Sequence, residues 1–132
     1  MSYRRIPPTL RTAVAALLAA SIALPSAASA GDGRIVRRGA CTGSSDWKLD
    51  VRLEDGARLR ATLEIEGGRS GQDWHVFMSD NGTRIFSGTR TSVSGGHLEV
   101  RVRTTDRAGS DLVKAAANNV VTGESCTGRA SL

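Results

Sequence analysis

Apolar and polar residues alternate strictly over two neighbouring stretches of this chain, residues 47–54 and 58–66. Successive side chains of a β-strand point to opposite faces, so the alternation predicts two strands that each have one buried and one solvated face. A loop with an odd number of residues, which sets Glu54 opposite Arg58, keeps the apolar side chains on one face, whereas a loop of two residues would mix the faces. The pairs predicted by this register are Leu53–Leu59, Val51–Ala61, Leu49–Leu63, Trp47–Ile65, Lys48–Glu64 and Arg52–Arg60.

The dipeptide Asn81-Gly82 lies between two β-favouring runs and predicts a hairpin with a type I′ turn. Such a turn needs positive φ at both central residues, which Asn and Gly tolerate. The predicted pairs are Asp80–Thr83, Met78–Ile85, Phe77–Phe86 and Val76–Ser87. Residues assigned to the core face are Trp74, Val76, Met78 and Ile85.

The other face of this hairpin, formed by His75, Phe77, Arg84 and Phe86, is the candidate binding face. Aromatic and Arg side chains are enriched at recognition sites, and an exposed apolar patch on a monomer commonly marks an interaction site. The alternative is that a second sheet or a loop buries this face.

Further short runs of strand character follow at intervals of about ten residues. The run 112–121 is ambiguous, because its alanines favour a helix while its neighbours are all strands. We predict a strand with Val113, Ala115 and Ala117 facing inward. Seven to eight antiparallel strands predict an all-β fold, a small single-domain β-sandwich. This strand rhythm resembles that of immunoglobulin-like and fibronectin-like sandwiches.

The first thirty residues have the composition of a secretory signal peptide. Arg4, Arg5 and Arg11 precede a short apolar run, and Ala28-Ser29-Ala30 is an A-x-A cleavage site. Cleavage after Ala30 leaves residues 31–132, a length that suits one domain, with no membrane span. The three arginines leave with the signal peptide, so 15 of the 18 basic residues remain against 13 acidic ones, a net charge of +2. We expect a secreted monomer that does not bind nucleic acid.

Cys41 and Cys126 are the only cysteines and lie near opposite ends of the mature chain, 85 residues apart. In an exported protein such a pair predicts a disulfide. Closing a loop of this length stabilises the fold by roughly 4 kcal/mol in the chain-entropy model. A redox or metal pair would need C-x-x-C spacing or nearby histidines, which the sequence lacks.

The sequence contains no pattern typical of a catalytic, cofactor-binding or metal-binding site, and we assign no residue to such a role. His75 and His97 lack the spacing that would place two ligands on one face. Asp106 and Asp111 flank a glycine, but turn chemistry explains them without a calcium site. The two tryptophans, Trp47 and Trp74, could stack on a sugar, although both fall on the apolar side of their strands, which favours the core.

The strand rhythm, the A-x-A site and the ending Thr122-Gly123-Glu124-Ser125-Cys126 resemble small secreted immunoglobulin-like β-sandwich proteins of actinobacteria. The resemblance implies a fold and no activity. Two functions remain open. One is a disulfide-tied module that binds another protein, an envelope polymer or a small ligand. The other is a small secreted hydrolase or hydrolase inhibitor, for which an inhibitor would use a rigid loop such as Gly67–Gln72 or Ser92–Gly96.

Overall fold

A computed structural model of the chain describes residues 33–132. The predicted signal peptide and its cleavage site lie outside this range. The strands are β1 Arg34–Ala40, β2 Asp46–Glu54, β3 Arg58–Glu66, β4 Asp73–Asp80, β5 Thr83–Thr91, β6 Leu98–Thr105, β7 Leu112–Asn119 and β8 Ser125–Ser131. They form two four-stranded antiparallel sheets, sheet A with the order β1-β2-β3-β6 and sheet B with the order β5-β4-β7-β8. The prediction of an all-β sandwich is confirmed.

The two sheets face each other with β1 beside β8 at one open edge and β6 beside β5 at the other. After β3 the chain crosses to sheet B, where β4 and β5 form a hairpin. It then returns to sheet A, so that β6 pairs with β3. β7 crosses again and pairs with β4. Strands β4 and β7 are therefore both interior strands, with a neighbour on each side. Within residues 33–132 no helix has the length and apolarity needed to cross a bilayer.

The register predicted for β2 and β3 is confirmed at every position. Glu54 lies opposite Arg58 across the loop, and Lys48 lies opposite Glu64. The Nζ atom of Lys48 is 3.0 Å from Oε2 of Glu64, so the outer face gains an ion pair. Leu53, at the end of β2, has the inward parity but stays 45% exposed.

The predicted register of the β4–β5 hairpin is wrong beyond its first two pairs. The turn itself has positive φ at Asn81 (47°) and Gly82 (82°), as a type I′ turn requires. A β-bulge then leaves Ile85 without a partner, so that Met78 pairs with Phe86 and not with Ile85. One extra residue in β5 turns every later side chain of this strand to the opposite face of the sheet.

The core lies between the sheets and is built from the inward side chains of both. Trp74 is 1% exposed, which confirms its predicted place in the core. β7 is a strand, and its predicted inward residues Val113, Ala115 and Ala117 are all buried. Other buried apolar residues are Leu49, Val51, Leu59, Ala61, Leu63, Ile65, Val76, Met78, Leu98, Val100 and Ala130.

The edge between β1 and β8 is closed by the predicted disulfide and by Trp47. Cys41, directly after β1, is bonded to Cys126 in β8, with their Cα atoms 4.4 Å apart. The indole of Trp47 is half-buried and lies against Gly39 of β1 and Gly128 of β8. A Cβ atom at Gly128 would come within 2.5 Å of that ring. The two glycines therefore make room for a ring that covers the end of the core.

Candidate binding groove

The structure separates one member of the predicted binding face from the other three. His75, Phe77 and Arg84 are exposed on the outer face of sheet B, and the Arg84 guanidinium carbon lies 5.1 Å from the centre of the Phe77 ring. The bulge turns Phe86 inward, where it packs half-buried against the core. There the guanidinium carbon of Arg90 lies 4.9 Å from the centre of the Phe86 ring.

Phe77 borders a groove of about 570 Å³ that begins on the outer face of sheet B and continues around the edge of β8. The floor follows from strand register, because residues opposite each other on paired strands share a face. One row across β4, β7 and β8 is Phe77–Ala116–Thr127, and the next is Ser79–Lys114–Arg129. Ala116 is the small middle residue of the first row and leaves a trough beside the Phe77 ring, and the second row places Lys114 and Arg129 next to it.

Sheet A supplies the far wall of the groove with Arg37 and Arg38 of β1 and Trp47 of β2. Trp47 reaches the groove because its ring lies over Gly128 at the edge of β8. Half-burial leaves part of this indole on the surface, so Trp47 contributes both to the core and to the groove.

The groove differs from the rest of the described surface in its charge. It is lined by four exposed cations, Arg37, Arg38, Lys114 and Arg129, and no carboxylate of residues 33–132 is part of its lining. None of these four side chains makes an ion pair or a side-chain hydrogen bond with residues 33–132. Every ion pair in that range instead lies within sheet A or involves His97, the residue before β6.

The outer face of sheet A shows what the same residue types do when they are compensated. Asp50 accepts hydrogen bonds from Arg34 at 2.7 Å and from Arg52 at 2.9 Å. Burial by itself would raise the pKa of Asp50, but the hydrogen bonds and charges of the two arginines outweigh it and lower the pKa. Glu54 similarly pairs with Arg60 and Arg103. Arg34, Arg52, Arg60 and Arg103 are therefore occupied by carboxylates, whereas the four cations of the groove are available to a ligand.

The remaining candidate side chains lie apart from the groove. Nδ1 of His75 is 2.9 Å from Oγ1 of Thr89. His97 lies between Glu66 and Glu99, 3.3 and 4.0 Å from their carboxylates. Among residues 33–132, neither histidine contacts both a nucleophile and an orienting carboxylate, the arrangement that a catalytic base needs.

The two loops considered for an inhibitor, Gly67–Gln72 and Ser92–Gly96, are joined to each other. The hydroxyl of Ser92 donates to the carbonyl of Arg69 at 2.6 Å, and the amide of Gly67 donates to the carbonyl of Gly95. Ser92 is itself buried. These contacts make the loops one braced unit at an end of the sandwich.

Sequence reasoning missed a buried cluster of acids at the start of β7. Asp80 and Asp111 are both buried, and the Oδ1 atom of each has no hydrogen-bond partner among residues 33–132. Burial, followed by contacts with Asp106 and Asp80, raises the pKa of Asp111 to about 6. No three His, Cys, Asp or Glu residues of the described range are arranged to hold a metal ion. Of this cluster, the sequence analysis singled out only Asp106 and Asp111, and it interpreted both as turn residues.

Comparison with known proteins adds no relative: no family model and no curated protein matches the chain.

Proposed function

We propose that this protein is secreted, loses residues 1–30 by cleavage after Ala30, and acts as a disulfide-tied binding module through the groove beside Phe77. The Cys41–Cys126 bond supports export, because such bonds persist in oxidising compartments. The sandwich is the rigid support, and the groove is the recognition surface.

The observation that carries this proposal is the exposure of Phe77 among unpaired cations. Phe77 is 38% exposed on an interior strand, where an outward aromatic gains little from the fold. Aromatic and Arg side chains contribute most of the binding energy at many interfaces. The groove volume also lies within the range typical of ligand sites.

Binding is favoured over hydrolysis by what lines the groove. The lining side chains are aromatic, cationic or small, and neither His75 nor His97 is among them. A hydrolase would need a base within hydrogen-bond reach of the bound substrate. An inhibitor would use the braced loop unit, which lies outside the groove lining.

The test compares Phe77→Ser with Val121→Ser, a matched control at a side chain that is 71% exposed and does not line the groove. The exported protein, with its disulfide intact, is immobilised and exposed to culture fluid and envelope extract of the producing cells. We expect the unchanged protein and the control to retain the same soluble component and Phe77→Ser to lose it. Equal retention by all three forms would refute the proposal, as would retention by none.

Phe86→Ser separates the groove from the original four-residue face. Because Phe86 packs against the core, the substitution should lower the free energy of unfolding by about 3 kcal/mol, while Phe77→Ser changes it by less than about 1 kcal/mol. Urea unfolding followed by Trp fluorescence measures both. Equal losses would mean that Phe77 is as much a core residue as Phe86.

A further inference from the structure

We infer that the groove binds an acidic polysaccharide, a chain of sugars that bears carboxylate or phosphate groups. This inference rests on the proposed binding function and names the chemical class of its ligand.

The charge of the groove favours an anionic ligand. Arg37, Arg38, Lys114 and Arg129 line one groove, and none of them makes an ion pair with an acid of residues 33–132, although the mature chain carries almost as many acids as bases. Like charges on one surface repel each other, and an anionic ligand relieves that repulsion. Three of the four cations are arginines, whose planar fork matches the geometry of carboxylate and phosphate groups.

The shape of the groove suits a chain of flat rings. The floor at Ala116, Thr127 and Gly128 is shallow and lies between the Phe77 ring and the exposed part of Trp47. Neighbouring strands are about 4.8 Å apart, so the path from β4 across β7 to β8 spans roughly 10 Å. That length accommodates sugar rings lying flat across the strands, with aromatic rings at either end.

The direction of the groove argues against a peptide ligand. The groove crosses the strands, and its floor at β4 and β7 belongs to interior strands whose backbone groups are paired on both sides. A peptide added as an extra strand would have to run along a free edge. In the trough its amides would find few protein partners, whereas sugar hydroxyls facing the open side remain hydrated.

The experiment measures binding of the exported protein to five probes: polygalacturonate, dextran phosphate, neutral dextran, polyglutamate and a thymidine oligonucleotide. We expect binding to polygalacturonate or dextran phosphate, the stronger of which identifies the acid, and at least tenfold weaker binding to the other three. Raising the salt from 0.05 M to 0.5 M should weaken binding by about tenfold, because the exposed charges become screened.

Two double variants test the role of the groove cations. The first combines Lys114→Gln with Arg129→Gln, and the control combines Arg69→Gln with Arg107→Gln. The control removes the same charge from exposed arginines in loops that do not line the groove. We expect about tenfold weaker binding for the first pair and less than twofold for the control, with unchanged thermal unfolding for both.

The outcomes separate the two proposals. Equal weakening by both pairs would mean that net charge and not the groove attracts the polymer, and would overturn the inference. Tight binding of neutral dextran, polyglutamate or the oligonucleotide would overturn the ligand class. If Phe77→Ser abolishes retention from culture fluid while the Lys114 and Arg129 pair does not affect it, the binding function stands and the acidic ligand is wrong.

Discussion

Replacement of Asp111 by Asn should stabilise the protein at neutral pH. Asp111 is 2% exposed, and no residue of the described range donates a hydrogen bond to its Oδ1 atom. Two carboxylates can share a hydrogen bond only when one is protonated, so its contacts with Asp106 and Asp80 favour the protonated acid. Burial is the largest cause and these contacts add to it, so the pKa of Asp111 rises to about 6.

The backbone around Asp111 keeps the side chain from turning out to solvent. Asn81, in the hairpin turn, donates its side-chain amide to the carbonyl of Ser110 at 3.1 Å and accepts from the amide of Leu112 at 2.8 Å. The backbone of Asp111 exchanges two hydrogen bonds with Leu132, each of 2.9 Å. The residue is thus held on both sides, and the carboxylate cannot escape burial by a small movement.

The size of the effect follows from the two pKa values. An unfolded Asp has a pKa of about 3.9, and each pH unit of difference is worth about 1.4 kcal/mol. A folded pKa of about 6 means that the folded protein holds this proton more tightly than the unfolded chain. Stability from Asp111 is therefore fully present below pH 4 and is lost as the pH rises to 6, by about 3 kcal/mol.

The assay is urea unfolding between pH 4 and pH 8, followed by the fluorescence of the buried Trp74. At pH 7.5 the free energy of unfolding of the Asp111→Asn variant should exceed that of the unchanged protein by up to about 3 kcal/mol. This gain corresponds to a rise of roughly 10–20 °C in Tm. Asp55→Asn, in the exposed β2–β3 loop, makes the same chemical change as a control and should have little effect. If the unchanged protein is equally stable at pH 5 and pH 7.5, and Asp111→Asn gains nothing, the reasoning is wrong.

Three other predictions concern stability. Because the folded pKa of Asp50 is lowered, its contribution is present above pH 4 and lost at lower pH, so Asp50→Asn should flatten the acid side of the stability curve; an unchanged acid limb would contradict this. Replacing both Cys41 and Cys126 with Ala should cost about 4 kcal/mol in urea unfolding, and a loss below about 1 kcal/mol would show that the bond does little for stability. Gly128→Ala should cost about 1–3 kcal/mol, because its Cβ would clash with Trp47; partial recovery of Tm in the double variant with Trp47→Leu would confirm the clash, and no recovery would refute it.

Much of the fold was predictable because alternation is a local property. The register of β2 and β3 follows from parity alone, and a slip of one residue would expose the apolar side of both strands. β7 was predicted as a strand despite its alanines because its neighbours are all strands, and the burial of Val113, Ala115 and Ala117 at a spacing of two confirms it. The disulfide needed only two cysteines and an expectation of export.

The candidate site was less predictable, because it depends on where a strand departs from regular pairing. A bulge at Ile85 moved Phe86 inward and left Phe77 without the partner that the turn had predicted. No residue at the turn marks this bulge. Lys114 and Arg129 are also ordinary exposed strand residues until register places them side by side.

The amino-acid order alone determined the strands, the pairing of neighbours through short loops and the sulfur bridge between the ends, since each depends on spacing along one dimension. Tertiary structure decided which cations remain without an acid and which carboxylates are buried together. The groove joins β1 and β2 to β4, β7 and β8, strands that lie far apart along the described chain. Charge compensation and desolvation depend on distances through space, and those distances exist only once the two sheets have packed.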